Sequence, residues 1–157
     1  MTKRHFATYA EVQAAVGQDI AVSDWITITQ KQIDQFAQAT GDHQWIHVDP
    51  ERAKHGPFGA PVAHGYLTLS LLAQFTQQAI AIDGAKMGVN YGLNKVRFPA
   101  PVPVGSRLRA HIKLLAAEAI APDGLQMTWG ITVEREGSDK PVCVAESLTR
   151  SHGAAAN

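Results

Sequence analysis

Asp42, Gln44 and His47 fall within the run Phe36-Ala-Gln-Ala-Thr-Gly-Asp-His-Gln-Trp-Ile-His-Val-Asp-Pro50, which is richer in titratable and aromatic side chains than any other part of the 157-residue chain. A carboxylate, an amide and an imidazole this close can be aimed into one small volume by a loop or irregular turn. Together they make a general acid–base set. The imidazole titrates near neutral pH, the carboxylate orients or shares the proton, and the amide holds a water. Burial beside Trp45 and Ile46 would tune the proton affinities. The same residues have plainer uses, since an aspartate past a helix end often bonds its own turn and a loop histidine is often a structural donor.

A second feature lies at Ala63-His64-Gly65-Tyr66, where a long apolar stretch begins. The first amide groups of a helix have no intrahelical partner and carry the positive end of its dipole. Glycine at position 65 lets a ligand carbonyl approach the backbone, where a developing oxyanion would be stabilised. The alternative is that Gly65 only allows tight packing. His43 and His47 stand four apart with Asp49 nearby, a metal-ligand spacing if all three lay on one helix. Gly41 and Pro50 interrupt that helix, so no metal site is expected. Cys143, in an alternating apolar run, reads as a packed thiol rather than a nucleophile. No G-x-S-x-G elbow, P-loop or G-x-G-x-x-G supports a serine hydrolase or a nucleotide-binding protein.

The elements that must position these residues can be read from periodicity. Asp19 to Ile28 reads as a strand. Thr29 and Gln32 form a capping box for a helix that ends at Gly41. Residues 42–61, with Pro50, Gly56, Pro57, Gly59 and Pro61, read as a structured loop containing one helical turn near Pro50 to Ala53. Ala63 to Ile80 is apolar nearly all round and reads as a buried helix. Period-two alternation then marks strands at Met87 to Leu93, Leu108 to Leu114, Leu125 to Val133 and Pro141 to Arg150, with a phase break near Asn94-Lys95. Helices first and antiparallel strands afterwards give an α+β chain whose sheet covers one long helix.

Composition sets the frame. Hydrophobic residues make up 45% and charged residues 18%, and fourteen Lys plus Arg balance fourteen Asp plus Glu. A neutral chain offers no field to gather nucleic acid or anionic lipid, so no such partner is expected. One domain is expected over 8–150, with a frayed tail at 151–157. A single cysteine, no apolar run behind Lys3-Arg4 and no apolar stretch of about 18 residues point to a soluble, cytoplasmic protein without a membrane span.

Taken together, Ala39-Thr-Gly-Asp-His-Gln-Trp-Ile-His-Val-Asp-Pro50 and Ala63-His-Gly-Tyr-Leu67 resemble the hydratase motif of the MaoC-like dehydratases, the (R)-specific enoyl-CoA hydratases. Gly56-Pro-Phe-Gly-Ala-Pro-Val-Ala-His-Gly65 and the segment from Val89 to Val104 are similar to the nodulation protein N-like branch. The resemblance covers roughly residues 10–150. It implies a hot-dog fold, a long buried central helix wrapped by a curved antiparallel β-sheet. It also implies a homodimer with acyl tunnels near the subunit interface.

By position, the resemblance makes Asp42 and His47 the catalytic pair that activates water and Gly65 the backbone donor to the thioester oxygen. Gln44 stands where most of the family has Asn, and its amide would orient the water or the imidazole. Trp45 replaces Pro and would narrow or reshape the acyl pocket. Trp45, His64 and Tyr66 are expected against the substrate. The implied reaction is reversible addition of water to a trans-2-enoyl thioester, giving a (3R)-3-hydroxyacyl product. No cofactor is implied, since coenzyme A is part of the substrate, with acyl carrier protein as the alternative carrier. Its phosphates would meet Lys95, Arg97, Arg107 or Arg109, against the plainer reading of these as solvated strand faces. The competing readings are a hot-dog acyl-CoA thioesterase and a non-catalytic acyl-thioester-binding module.

Overall fold

The computed structural model describes residues 2–157. Its elements run β1 (Arg4–Phe6), α1 (Tyr9–Ala14), β2 (Asp19–Val22), β3 (Ile26–Thr27), α2 (Gln30–Thr40), α3 (Trp45–Val48), α4 (Pro50–Ala53), α5 (Gly65–Ser70) and α6 (Leu72–Ala79). They continue through β4 (Ile80–Ile82), β5 (Met87–Arg97), β6 (Arg107–Ile120), β7 (Gly124–Arg135) and β8 (Cys143–His152). Alternation along the last strands decides which face of the sheet is dry. On β6, Leu108, Ala110, Ile112 and Leu114 are fully buried while Arg107, His111 and Lys113 face out. Leu125, Met127, Trp129, Ile131 and Val133 do the same on β7. These strands pair antiparallel in the order β2-β6-β7-β8-β5, with β3 also on β6, and β1 pairs with β4 in a separate parallel ribbon. The phase break expected near Asn94-Lys95 is a register shift between Leu93 and Lys95 of β5, and a second shift lies between Asn90 and Gly92.

The dry face is covered by α5 and α6, and here the sequence expectation is corrected twice. The helix begins at Gly65 with His64 as its N-cap, and its two segments meet at Leu71. It is buried on one side only. Leu67, Thr68, Leu72, Phe75 and Ala79 are covered, while Tyr66, Ser70, Gln74 and Gln77 are exposed. The many leucines hide this one-sidedness in the sequence, because Leu69 and Leu71 lie on the flanks of the buried face, packed against the core but only partly covered.

Two further expectations change. The strand read over Asp19 to Ile28 breaks into β2 and β3, because Ser23 between them bonds Ala110 twice. Its N–H donates to the Ala110 carbonyl at 2.9 Å and its hydroxyl accepts the Ala110 N–H at 2.8 Å. The interruption turns Trp25 outward against the Arg107 and Arg109 guanidiniums. The tail read as frayed is tied down, since the Ala155 and Ala156 carbonyls accept the Tyr9 and Ala10 N–H groups, both at 2.9 Å. The opening turn of α1 has amide groups without intrahelical acceptors, and the tail supplies them. No helix among the described residues is long and apolar enough to cross a membrane.

Phe75 is wholly buried where α6 meets the sheet. Truncating it leaves a cavity that rigid strands cannot fill, so Phe75→Ala is expected to lower unfolding free energy by about 3–5 kcal/mol, read from urea denaturation followed by circular dichroism.

Candidate active site

Local capping signals build the turn that carries the candidate pair. Thr29 and Gln32 form the expected capping box of α2, and Gly41 closes that helix in the left-handed region at φ +81°. A side chain there would be strained. Residues 42–44 then form neither helix nor strand before α3 begins. Pro50 and the Asp49 cap, whose carboxylate accepts the Arg52 N–H at 3.1 Å, start α4 and thereby limit α3 to four residues. This places His47 in the last turn of α3, buried beneath the loop.

His47 is held from two directions. Its Nδ1 lies 2.6 Å from the Val62 carbonyl. A carbonyl only accepts, so Nδ1 carries the proton and Nε2 keeps the lone pair. Its own carbonyl accepts from Gln30 Nε2 at 2.8 Å, and the same amide reaches Asp34 at 2.9 Å. The Val62 N–H returns a bond to Ile46 at 3.0 Å. His64, only 3% exposed, stacks on His47 with ring centroids 3.9 Å apart and planes 24° apart. Its other neighbour is Phe36, at 4.9 Å. His64 Nε2 donates to the backbone carbonyl of Asp42 at 2.9 Å, leaving Nδ1 buried without a partner. The Asp42 carboxylate remains exposed and accepts the Gln44 N–H at 3.4 Å.

Burial is the main reason the His47 pKa lies below 6.5. The Val62 bond pulls it back up, the neighbouring His64 ring pushes it down, and the Asp42 charge raises it again. The outcome is a neutral imidazole with an acceptor nitrogen beside a carboxylate, a base ready for a water proton. Asp42, His47 and His64 each bring a ligand atom within 4.8 Å of the others, the donor set of a two-histidine, one-carboxylate metal site. The stacking argues against that use. Imidazole lone pairs lie in the ring plane, so near-parallel rings 3.9 Å apart send them side by side. One ion at about 2.1 Å from both would require the rings to unstack. The His43, His47 and Asp49 combination weighed from the sequence is not assembled among the described residues.

A cavity of about 300 Å³ opens beside this turn, lined by Ile46, Phe58, Val62, Gly65, Thr68 and Phe98 among others. Gly65 is the first residue of α5, and a Cβ there would lie 3.0 Å from the Phe98 ring. Tight packing therefore accounts for the glycine, and the same packing leaves its backbone at the cavity wall. Of the residues expected against substrate, Trp45 does not line this cavity. It stacks under the Arg52 guanidinium at 4.2 Å with Gly56 against its edge, and the adjacent Ile46 faces the cavity instead. Tyr66 is 70% exposed and meets Phe98 edge-on. Gln44 is an exposed N-cap whose side chain makes no capping hydrogen bond, although its carbonyl accepts the His47 N–H at 3.0 Å.

Sequence reasoning missed Gln30, Phe36, Val62 and Phe98. Val62 acts through its carbonyl, which every residue possesses, and only a spatial contact marks it. The four basic candidates divide. Arg107 is paired with Glu136 and Arg109 with Glu134, both against Trp25, whereas Lys95 and Arg97 on β5 have no acidic partner among the described residues. Cys143 is buried, and desolvation raises its thiol pKa to about 11, which suits packing and not nucleophilic attack.

The MaoC like domain model matches residues 11–134. The chain is 56% identical over 147 residues to 3-hydroxyacyl-thioester dehydratase Z of Mycobacterium tuberculosis, covering 94% of this chain and 97% of that protein. It is 44% identical to nodulation protein N of Rhizobium leguminosarum, covering 92% and 91%. Among solved structures, the R-hydratase PhaJ1 of Pseudomonas aeruginosa superposes with a TM-score of 0.71 at 24% identity, over 96% of this chain and 87% of that one. The monoamine oxidase regulatory protein of Archaeoglobus superposes with a TM-score of 0.76 at 23% identity, over 98% and 99%.

The depressed His47 pKa has a consequence for stability. Below 6.5 the unfolded chain takes up a proton that folded His47 refuses, so this contribution is present above pH 6.5 and is lost as the pH falls toward the depressed value. The urea midpoint of the wild type is expected to fall more steeply than that of His47→Gln on acidification through this window.

Proposed function

Because the chain belongs to the MaoC-like dehydratase family and has its hot-dog fold, we propose that it is an (R)-specific hydratase/dehydratase of 3-hydroxyacyl thioesters, with Asp42 and His47 as its water-activating pair. The observation that carries the site assignment is the Val62 bond to His47 Nδ1, which leaves a neutral Nε2 lone pair beside the Asp42 carboxylate. In the hydration direction a water rests between the two groups. Its oxygen bonds to C3 of a trans-2-enoyl thioester as the pair takes its proton. The C2–C3 π electrons move toward the thioester carbonyl, and the Gly65 N–H receives the charge that develops on that oxygen. A donor so placed is worth about 3–4 kcal/mol in the transition state. The conjugate acid of the pair then returns a proton to C2, and dehydration is the reverse. Oxidation states at the ends of this cycle match, so no redox group is called for.

Coenzyme A enters as part of the substrate, with acyl carrier protein the alternative carrier, and the unpaired cations Lys95 and Arg97 suit its phosphates better than Arg107 and Arg109. The acyl chain is assigned to the Ile46, Phe58 and Phe98 cavity. Cys143, an unpaired thiol, suits a reducing cytoplasm.

The functional unit we assign is a homodimer. β5 is an edge strand of eleven residues, exposed on both faces, with Met87 54%, Tyr91 54% and Leu93 45% accessible. A long apolar edge left open invites uncontrolled pairing. A second copy that continues the sheet covers it. Tyr91→Asp combined with Leu93→Lys is expected to halve the mass measured by light scattering while leaving the circular dichroism spectrum unchanged.

Loss of the conjugated enoyl absorbance of crotonyl-CoA and of a longer trans-2-enoyl-CoA, without thiol release, tests the reaction. Asp42→Asn and His47→Ala are each expected to lower turnover by about 10²- to 10⁴-fold. Thiol release in place of enoyl loss would identify a thioesterase, and full turnover in Asp42→Asn would remove the assigned pair.

A further inference from the structure

His64 offers a nitrogen that substrate cannot reach. The residue is 3% exposed, its ring contacts those of both Phe36 and His47, Nε2 is engaged by the Asp42 carbonyl, and Nδ1 is closed off from solvent with no partner among the described residues. Burying an unpaired imidazole nitrogen destabilises a fold, so the ring must serve some other purpose. Its contacts identify that purpose. Asp42 sits on an exposed loop just past the end of α2, where its carboxylate accepts a long bond from the Gln44 N–H at 3.4 Å. The His64 bond at 2.9 Å joins that loop to the start of α5, twenty-two positions later. His64 also precedes Gly65, so one dipeptide fixes the carboxylate turn on one side and the oxyanion donor on the other.

We infer that His64 is a positioning residue for the Asp42–His47 pair, its ring stacking on the His47 imidazole and its Nε2–H holding the Asp42 carbonyl so that both keep one separation. This assignment rests on the hydratase reading above and adds to it a residue that never touches the substrate. It also explains the placement of Phe36, whose ring tilts against that of His64 at 4.9 Å. Asp42 and His64 are the ionisable groups that act on His47, so loss of the His64 ring removes an influence that keeps the His47 imidazole neutral.

Two variants separate the ring from its donor. His64→Phe keeps a stacking ring and deletes the N–H, whereas His64→Gln places an amide N–H near the same point and deletes the ring. For crotonyl-CoA hydration, His64→Phe is expected to lose about 10- to 100-fold in kcat with KM held within about twofold, and His64→Gln to recover most of that loss. In the same samples the His47 ring, followed by NMR, is expected to titrate at higher pH in both variants than in the wild type. Wild-type kcat in a folded His64→Phe would overturn the assignment. So would a raised KM at unchanged kcat, which means substrate contact, or a His64→Gln no better than His64→Phe. Should His64→Phe fail to fold by circular dichroism, His64→Leu, which also deletes the N–H, takes its place with the same expected loss in kcat, and wild-type kcat or a raised KM in it overturns the assignment. Should the wild type hydrate no enoyl thioester, the hydratase reading falls. The NMR titration then judges the positioning role by itself: an unmoved His47 in both variants overturns it, and an upward move supports it.

Discussion

A single hydrogen bond, from His47 Nδ1 to the Val62 carbonyl at 2.6 Å, holds the site together. It ties a four-residue helix that could not persist alone to the segment that leads into α5, and in doing so it fixes the tautomer of the imidazole. The reciprocal bond from Val62 N–H to Ile46 and the Gln30 bond to the His47 carbonyl make the arrangement doubly tied. Without the Val62 bond, nothing would fix which His47 nitrogen carries the proton.

The large sheet serves this site indirectly. Its dry face carries Leu108, Ile112, Leu114, Ile131 and Val133, which pack with the buried side of α5 and α6 in one continuous core. That packing sets where Gly65 begins its helix. Phe98, one residue beyond β5, closes against Gly65 so tightly that a Cβ there would sit 3.0 Å from its ring and push it aside. Part of the cavity wall is thus made by the residues that follow an exposed edge strand, which links the open face of β5 to the start of α5 at Gly65.

Charge is used sparingly and mostly away from the site. The outer face of β6 balances Arg107 and Arg109 with Glu136 and Glu134, and Trp25 packs against both guanidiniums. Such exposed pairs contribute little stability. Within the site the order is reversed. One carboxylate stays in solvent while its partner imidazole is buried and kept neutral, so the two groups differ in environment and can differ in role.

Much of this was legible before any coordinates. The capping box at Thr29 and Gln32, the stop at Gly41, the turn at Pro50 to Ala53 and the alternation on β6 and β7 all depend on residues a few positions apart, so sequence determined them directly. Sequence also determined which chemical groups are available, Asp42, Gln44, His47 and the glycine at 65. Only the tertiary structure decided that His64 meets both Phe36 and His47, that Trp45 turns to Arg52 while Ile46 meets the cavity, that the long helix is buried on one side, and that the tail bonds to α1. The reason is physical. Those outcomes rest on contacts between distant segments and on backbone carbonyls such as that of Val62, which look alike at every position until folding brings a donor to one of them.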